Sequence, residues 1–515
     1  MLEPSEIQRL ADLDRRHVWH PFTPMRQWRE AEPIVIVEGE GDWLVDARGR
    51  RYLDGVSSIW CNVHGHRHPK LDGALKAQID RIAHSTLLGL TNAPAAELAG
   101  RLVDAAPAGL QRVFYSDAGA TATEVGFKMA VGHWHHTGQP QRDTFIALEG
   151  AYHGDTTGAM SIGYAELFHR PFKSMVFHVE FVEAPDPCHS DVAGSCCQRS
   201  PGAVQCPAAQ QVEGRRWSTE CRSTNDMVRD VALRSLEKRL EQLGDRCAGV
   251  VIEPLVQGAA GMIVQPEGYV RGVAELCRRF GTLLLVDEVA TGFGRTGEMF
   301  AVDHEGVEPD IMALGKGITA GYMPLAATLC TDRVAEAFEG ELHEMKTLFH
   351  GHTYTGNPLG CAVALASLDL FEEAGRLAEA RRKAERLARR LDPLRDRERF
   401  PFVADVRQQG LMVGIELAQP GRAPADTWLK AGSSPGASPT GGGTALGDFG
   451  ESPDLGRDGG PPRRLGYEVC MACTRGGVFV RPLGDVVILM PPLSIEDENL
   501  DRLADTVVDR IGDLA

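Results

Sequence analysis

Positive charge is scarce in this chain. Its 54 lysines and arginines are outnumbered by 71 aspartates and glutamates, leaving a net charge of −17. Phosphate backbones repel such a surface at long range, which argues against nucleic acid as a partner. Long apolar runs are missing too. None approaches the roughly 18 residues that span a bilayer, and residues 1–19 are mixed and charged, without the apolar centre of a secretory signal. A cytoplasmic protein with no membrane partner and with reduced thiols is therefore expected. Metal-binding spacing is also lacking among the 12 cysteines. Cys188, Cys196, Cys197, Cys206 and Cys221 cluster at irregular gaps, and Cys470 and Cys473 form a lone CxxC on what reads as a short helix. Zinc sites need paired ligands at short fixed spacing, so no metal is expected at either place.

What remains is the composition of a soluble globular protein, 43% apolar and 24% charged over 515 residues, enough for two or three cores. Residues 1–30 read as an arm, followed by strand-like runs at 34–38 and 43–46. From about residue 70 to 335, helical patterns alternate with the short apolar runs 113–115, 145–148, 250–252, 283–286 and 311–314. Strands that are apolar throughout are buried on both faces, which predicts an α/β fold with a mostly parallel central sheet between helices. The expected division is an arm and part of a small domain at 1–69, a large domain at 70–340 and a C-terminal small α+β domain at 341–515. Residues 186–226, rich in Cys, Ser, Pro and Gln, and the Gly/Ser/Pro stretch 431–463 read as surface insertions. One long helix is expected from Ala362 to Leu391, with Ala380, Ala384, Leu387 and Leu391 on one face.

Gly292 to Gly297 matches the dinucleotide pattern GxGxxG. Five residues separate it from the preceding strand, and no clear helix start follows, so the match is weak. Asp287 is better placed. It stands at the carboxyl end of an apolar strand, the edge that faces the ligand crevice in open α/β sheets. A carboxylate there needs a partner, and a protonated pyridine nitrogen would serve, as would a helix cap or salt bridge. Lys316 follows the next such strand, between Gly315 and Gly317. Burial disfavours its charged form and frees the amine for imine chemistry, although a solvated loop lysine fits the spacing as well. Ser116 to Thr121 forms a small-residue turn between a strand and a helix, a place for phosphate or for an ordinary helix cap. Tyr152 offers an aromatic face to a ring, or fills a core.

Together these motifs resemble the class III (omega) aminotransferases of fold type I, over nearly the whole chain outside the two insertions. Further signatures lie at His17–Thr23, Asp54–Ser58, Tyr152–Thr156, Phe349–Thr353, Arg481-Pro482 and Met490–Pro492. They are similar to the biotin-synthesis branch of that class. The resemblance implies pyridoxal 5'-phosphate (PLP) as cofactor, with Lys316 forming the Schiff base and shuttling the proton, and Asp287 pairing with the pyridine nitrogen. It places Gly119 and Ala120 at the phosphate, Tyr152 on the ring and His352 and Thr353 in the cofactor site, Thr353 reaching in from the partner of an obligatory homodimer. Phe22, Ile59, Trp60, Tyr152, Gly351 and Arg481 would line the substrate site, and the Arg481 guanidinium suits the carboxylate of 8-amino-7-oxononanoate. The implied reaction gives 7,8-diaminononanoate with S-adenosylmethionine as amino donor. Lysine as donor, or another omega-amino substrate such as ornithine, 4-aminobutyrate or β-alanine, is the alternative. Three positions depart from the common pattern: Ala120 replaces a serine, Ile59 the first of two tryptophans, and Phe22 a tyrosine. The last two bear on the donor. The stretch His64 to His68 has a counterpart without metal in the family and is read as structural.

Overall fold

The computed structural model describes residues 1–188, 219–373, 375–419 and 463–514. Its centre is a seven-stranded sheet. The strands, in chain order, are β1 (Leu110–Ser116), β2 (Thr144–Leu148), β3 (Val179–Val182), β4 (Cys247–Ile252), β5 (Leu283–Asp287), β6 (Ile311–Leu314) and β7 (Ala326–Thr331). They lie side by side as β1-β7-β6-β5-β4-β2-β3. Every residue of β2, β4, β5 and β6 is buried, as their largely apolar sequences require; Asp287, at the end of β5, is the one charged residue among them. Six strands run one way, and only β7 is antiparallel to its neighbours β6 and β1. The carboxyl ends of those six strands therefore line one edge of the sheet. Neither β3 nor β7 is legible in the sequence. β3 is a four-residue edge strand with a half-buried Glu180, and β7 is built of Ala, Thr and Cys as much as of branched residues.

Both ends of the chain meet in a second sheet. Ile36–Glu40, Trp43–Asp46 and Arg51–Asp54 form a meander, and Val478–Phe479 adds in parallel, with Val478 opposite Leu53. A third, antiparallel sheet joins Val403–Gln409, Met412–Leu417, Val486–Leu489 and Arg481–Leu483.

Two expectations need correction. The single helix from Ala362 to Leu391 is two helices, Pro358–Glu373 and Arg376–Leu391, because Gly375 takes a left-handed φ of 56° at the start of the second. In that second helix Ala380, Leu387 and Leu391 are buried as the pattern requires. The insertion 186–226 is not loop throughout: from Thr219 onward it belongs to the helix Thr219–Leu243. Residues 189–218, with Cys196, Cys197 and Cys206, lie outside the described residues, as does the insertion from 431 to 462. Cys470 and Cys473 sit one turn apart, both buried, on the helix Leu465–Arg475. The histidines at 64–68 have structural partners. His64 Nε2 lies 3.1 Å from the Ser367 carbonyl, His66 Nε2 lies 2.9 Å from Asp54, and His68 accepts the Lys70 N–H. Among the described residues, no helix is long and apolar enough to cross a membrane.

Helices Arg376–Leu391 and Asp497–Gly512 are laced by charge. Arg382 binds Asp497 with two 2.7 Å bonds, Arg386 forks onto Asp501 with two more, and Arg390 reaches Asp501 and Asp505. The Arg386 hydrogen bonds, against a little burial and with help from Arg390, hold the Asp501 carboxyl down at about 2. A depressed carboxylate stabilises the fold above its unfolded pKa and stops doing so as pH falls through its folded one. Asp501→Asn should therefore cost roughly 1–2 kcal/mol at pH 7 after solvent screening. In denaturant titrations the difference from the native chain should narrow steadily as pH falls from 5 towards 2. A gap that does not change with pH would show that the charge ladder contributes nothing.

Candidate active site

Each turn at the carboxyl edge of the sheet delivers one part of the site. β1 runs into Ser116–Ala118 and the helix Gly119–His136. The first N–H groups of that helix, on Gly119, Ala120 and Thr121, have no intrahelical acceptor and carry the positive end of its dipole. The Thr121 hydroxyl accepts the Ala118 N–H at 3.0 Å and fixes the turn. Two more turns press against this one. A Cβ on Gly154, after β2, would stand 2.3 Å from the Ala120 Cβ; one on Gly315, after β6, would stand 3.2 Å from the Gly119 Cα. A Cβ on Gly119 itself would meet Val289 at 2.4 Å. Only glycine permits this convergence.

Asp287 ends β5, buried. Its Oδ1 accepts the Val289 N–H at 2.9 Å, and its Oδ2 lies 2.8 Å from Nδ1 of the fully buried His153. Glu253, which follows β4, is also buried. It accepts the Tyr152 N–H at 3.2 Å and the Gly258 N–H at 3.0 Å. Burial raises the Glu253 pKa to about 7, with His153 and the two N–H groups pulling it down and Asp287 adding to the rise. Burial works against a charged imidazole at His153, yet the Asp287 hydrogen bond and the Asp287 and Glu253 charges outweigh it and raise its pKa. Lys316 follows β6 with a left-handed φ of 41°. Its burial lowers the amine pKa, in spite of the opposing pull of Asp287, Glu253 and Cys61; Arg295 lowers it further. The Lys316 Nζ stands 4.7 Å from the centroid of the Trp60 ring.

The structure thus brings together Lys316, Asp287, Gly119, Ala120, Tyr152 and Trp60. Tyr152 is half-buried, its hydroxyl donating to Asp155 at 2.7 Å; desolvation first, then the Asp155 bond, raises its pKa. His352 stands at the rim, with Nδ1 2.8 Å from Asp117 in the turn after β1. Ile59 and Phe22 are exposed, at 58% and 74%. Gly351, Thr353 and Arg481 are exposed as well, Arg481 on the outer strand 481–483. Sequence reasoning passed over His153 and Glu253. His153 sits inside a motif quoted for its tyrosine. Glu253 follows an apolar strand just as Asp287 does, and the strand-end rule applied to β4 would have found it.

Residues 25–511 match the family described as aminotransferase class-III. The chain belongs to the class-III aminotransferases. It is 49% identical to the adenosylmethionine-8-amino-7-oxononanoate aminotransferase of Geobacter sulfurreducens, over 97% of this chain and 96% of that one. A crystal structure of the enzyme of that name from Methanocaldococcus jannaschii, 36% identical, matches with a TM-score of 0.80 over 98% and 99% of the two chains. An amine transaminase from an uncultivated Pseudomonas species in its PLP-bound form, 30% identical, matches with a TM-score of 0.78 over 97% and 99%. The fold is accordingly fold type I of the PLP-dependent transferases, and this class-III chain is an enzyme of the aminotransferase kind.

The acid behind Tyr152 makes a prediction. Glu253 binds its proton more tightly folded than unfolded, so its contribution to stability is full below pH 4.5 and is lost as pH rises through about 7. In Glu253→Gln that loss should vanish. Plotted as unfolding free energy against pH between 4.5 and 7.5, the variant should give the flatter curve, whatever its absolute stability. Parallel curves would mean that folding leaves the proton affinity of Glu253 unchanged.

Proposed function

We propose that this chain transfers an amino group to 8-amino-7-oxononanoate, giving 7,8-diaminononanoate in biotin synthesis, with S-adenosylmethionine as donor and PLP as cofactor. The substrate assignment is carried by 49% identity over nearly the full length to a relative of that activity. The residues at the sheet edge fit the cofactor. The glycines bring three turns together at the free N–H groups of a helix N-terminus, which suits a phosphate, and Asp287, braced by His153, would accept a pyridinium N–H. When bound, PLP supplies the electron sink that makes a substrate α-proton removable.

The chain supplies the rest. Lys316, its charged form disfavoured by burial, anchors the cofactor and then takes and returns the substrate proton. Asp287 holds the ring-nitrogen proton, and the His153 hydrogen bond fixes the orientation of its carboxylate. Trp60 and Tyr152 wall the site, while the helix Gly119–His136 meets the phosphate with backbone N–H groups alone, since Ala120 has no hydroxyl. Arg481 would meet the substrate carboxylate. In this reading residues 70–340 form the large domain, and residues 1–69, an N-terminal arm and part of the small domain, join residues 341–515 to complete the small one, in a cytoplasmic enzyme.

Lys316→Ala should abolish borohydride-trappable attachment of PLP and nearly all turnover, because no other amine occupies that position. Asp287→Asn should still bind PLP and lose most of the rate. A Lys316→Ala chain that keeps both attachment and activity would refute the assignment.

Lysine is the second reading for the donor. Phe22 lacks a tyrosine hydroxyl, and Ile59 offers a branched aliphatic chain where many relatives present an indole. The first half of the reaction decides between them. PLP-loaded enzyme should lose its visible absorbance with S-adenosylmethionine and keep it with lysine; the reverse would establish the second reading.

Two active sites shared across a homodimer complete the proposal. The segments 83–92 and 349–357 are tied by Asn357 to Ala83 and by Asn92 to Gly356, at 3.1 and 3.0 Å. They expose Leu88, Leu90, Phe349 and Tyr354, apolar surface that a partner subunit would cover. Thr353 would cross to the partner's phosphate from this surface. Mixed chains of Lys316→Ala and Thr353→Ala should then recover part of the activity that each lacks alone, because one site in each mixed dimer is intact. A monomer with full turnover contradicts this.

A further inference from the structure

Four successive non-glycine residues lie in the left-handed region: Ser57, Ser58, Ile59 and Trp60, with φ of 49°, 52°, 90° and 71°. In that region the Cβ of an L-residue crowds the following carbonyl oxygen, and a branched side chain such as Ile59 suffers most. A turn of this kind persists only where its surroundings over-determine it. Asp54 is the centre of those surroundings. It is fully buried at the end of the strand Arg51–Asp54. Its Oδ1 accepts the Ser58 N–H at 2.9 Å; its Oδ2 accepts the Ser58 hydroxyl at 2.7 Å and lies 2.9 Å from His66 Nε2. The Ser57 hydroxyl donates to the Met490 carbonyl at 2.7 Å, and Arg295 donates to the Trp60 and Asn62 carbonyls at 3.2 and 3.1 Å.

The wound turn has one consequence inside the site. Ser58 and Ile59 face solvent, while Trp60 is carried inward until its ring lies 4.7 Å from the Lys316 Nζ. The ring is backed by Gly258, where a Cβ would stand 3.3 Å from the indole Cζ3. Gly258 thus lets the ring pack against its backbone, on the side that a side chain would otherwise fill.

We propose that Asp54 is a positioning residue for amino transfer: it keeps the left-handed turn wound, so that Trp60 walls water away from the Lys316 amine. The inference rests on the reading of Lys316 as the reacting amine. Released from Asp54, the turn relaxes towards right-handed or extended backbone, the indole withdraws and water reaches Lys316.

The test reads Lys316 directly. In PLP-free protein, the pH dependence of Lys316 acetylation by acetic anhydride, mapped by mass spectrometry, gives the amine midpoint; kcat and KM of the PLP-loaded enzyme are measured alongside. The charged groups acting on Lys316 are Asp287, Glu253, Cys61 and Arg295. Asp54→Ala should move the midpoint upward, towards that of a solvated lysine, and lower kcat/KM by about a hundredfold, chiefly in kcat. Removing a carboxylate without opening the wall would move the midpoint the other way. Adding Ser58→Gly and Ile59→Gly to Asp54→Ala should return the midpoint most of the way, since glycine takes positive φ without strain. Should Asp54→Ala fail to fold, Asp54→Asn gives a smaller shift of the same sign, reversed by the same glycines. An unchanged or lowered midpoint overturns the proposal, and so does a raised midpoint that the glycines leave in place. Failure of the functional reading looks different: native chain that binds no PLP, with the acetylation comparison still readable.

Discussion

The site depends on one buried contact, the 2.8 Å approach of Asp287 Oδ2 and His153 Nδ1. It joins the end of β5 to the turn after β2, across β4, which lies between those strands. A carboxylate in so dry a place demands a partner. The imidazole meets that demand at Oδ2, and the Val289 N–H meets it at Oδ1. Glu253 closes the arrangement from the end of β4 and binds the Tyr152 backbone. His153 therefore orients Asp287, and Glu253 holds the turn that carries His153. Both follow from the parallel sheet, which delivers consecutive strand ends to one edge.

A parallel sheet is also why so much of this architecture is legible in the sequence. β2, β4, β5 and β6 are continuous apolar runs, and the residues after three of them are charged. Asp287 and Lys316 stand out because each is a charged group at or just past the carboxyl end of an apolar run, and the glycines around Lys316 mark a tight approach. The parts that escape are those whose signal is not local. β7 pairs antiparallel on the strength of its neighbours rather than its composition. The split at Gly375 looks like a tolerated helix glycine until its φ is known. His153 gains its chemistry from Asp287, 134 positions away, and Glu253 reaches back to the Tyr152 N–H, 101 positions away. Phe22, Ile59, Gly351, Thr353 and Arg481 are exposed in a single chain, so no pattern within one chain describes what they face.

The second and third sheets contribute to the site through backbone. Ser57 holds the Met490 carbonyl, Arg295 holds those of Pro491, Trp60 and Asn62, and Asp54 winds the turn between. Residues near both ends of the chain are thereby tied to the GFGRTG turn that follows β5. That turn matches a dinucleotide pattern, and here its glycines serve packing instead. Gly294 has φ 82°, and a Cβ there would meet Leu493 at 2.7 Å. The pattern is real, but its physical cause is the close approach of the C-terminal segment.

Arg295 shows how such a junction bears its charge. It is fully buried, its hydrogen bonds go to three carbonyl oxygens, and burial lowers its pKa to about 10 against the pull of Cys61 and Asp54. A carboxylate partner would neutralise it more fully, but would also screen it from the crevice. Held by dipoles alone, the guanidinium keeps its charge directed at Lys316, whose pKa it helps to lower. Lysine at position 295 would satisfy fewer carbonyls with a compact ammonium and would more readily lose its proton in the same burial. The residue that ties the chain ends to the carboxyl edge of the sheet is thus also one of the charges that lower the Lys316 pKa. Structural and chemical demands on this edge fall on the same atoms, and for that reason the junction tolerates no simpler side chain.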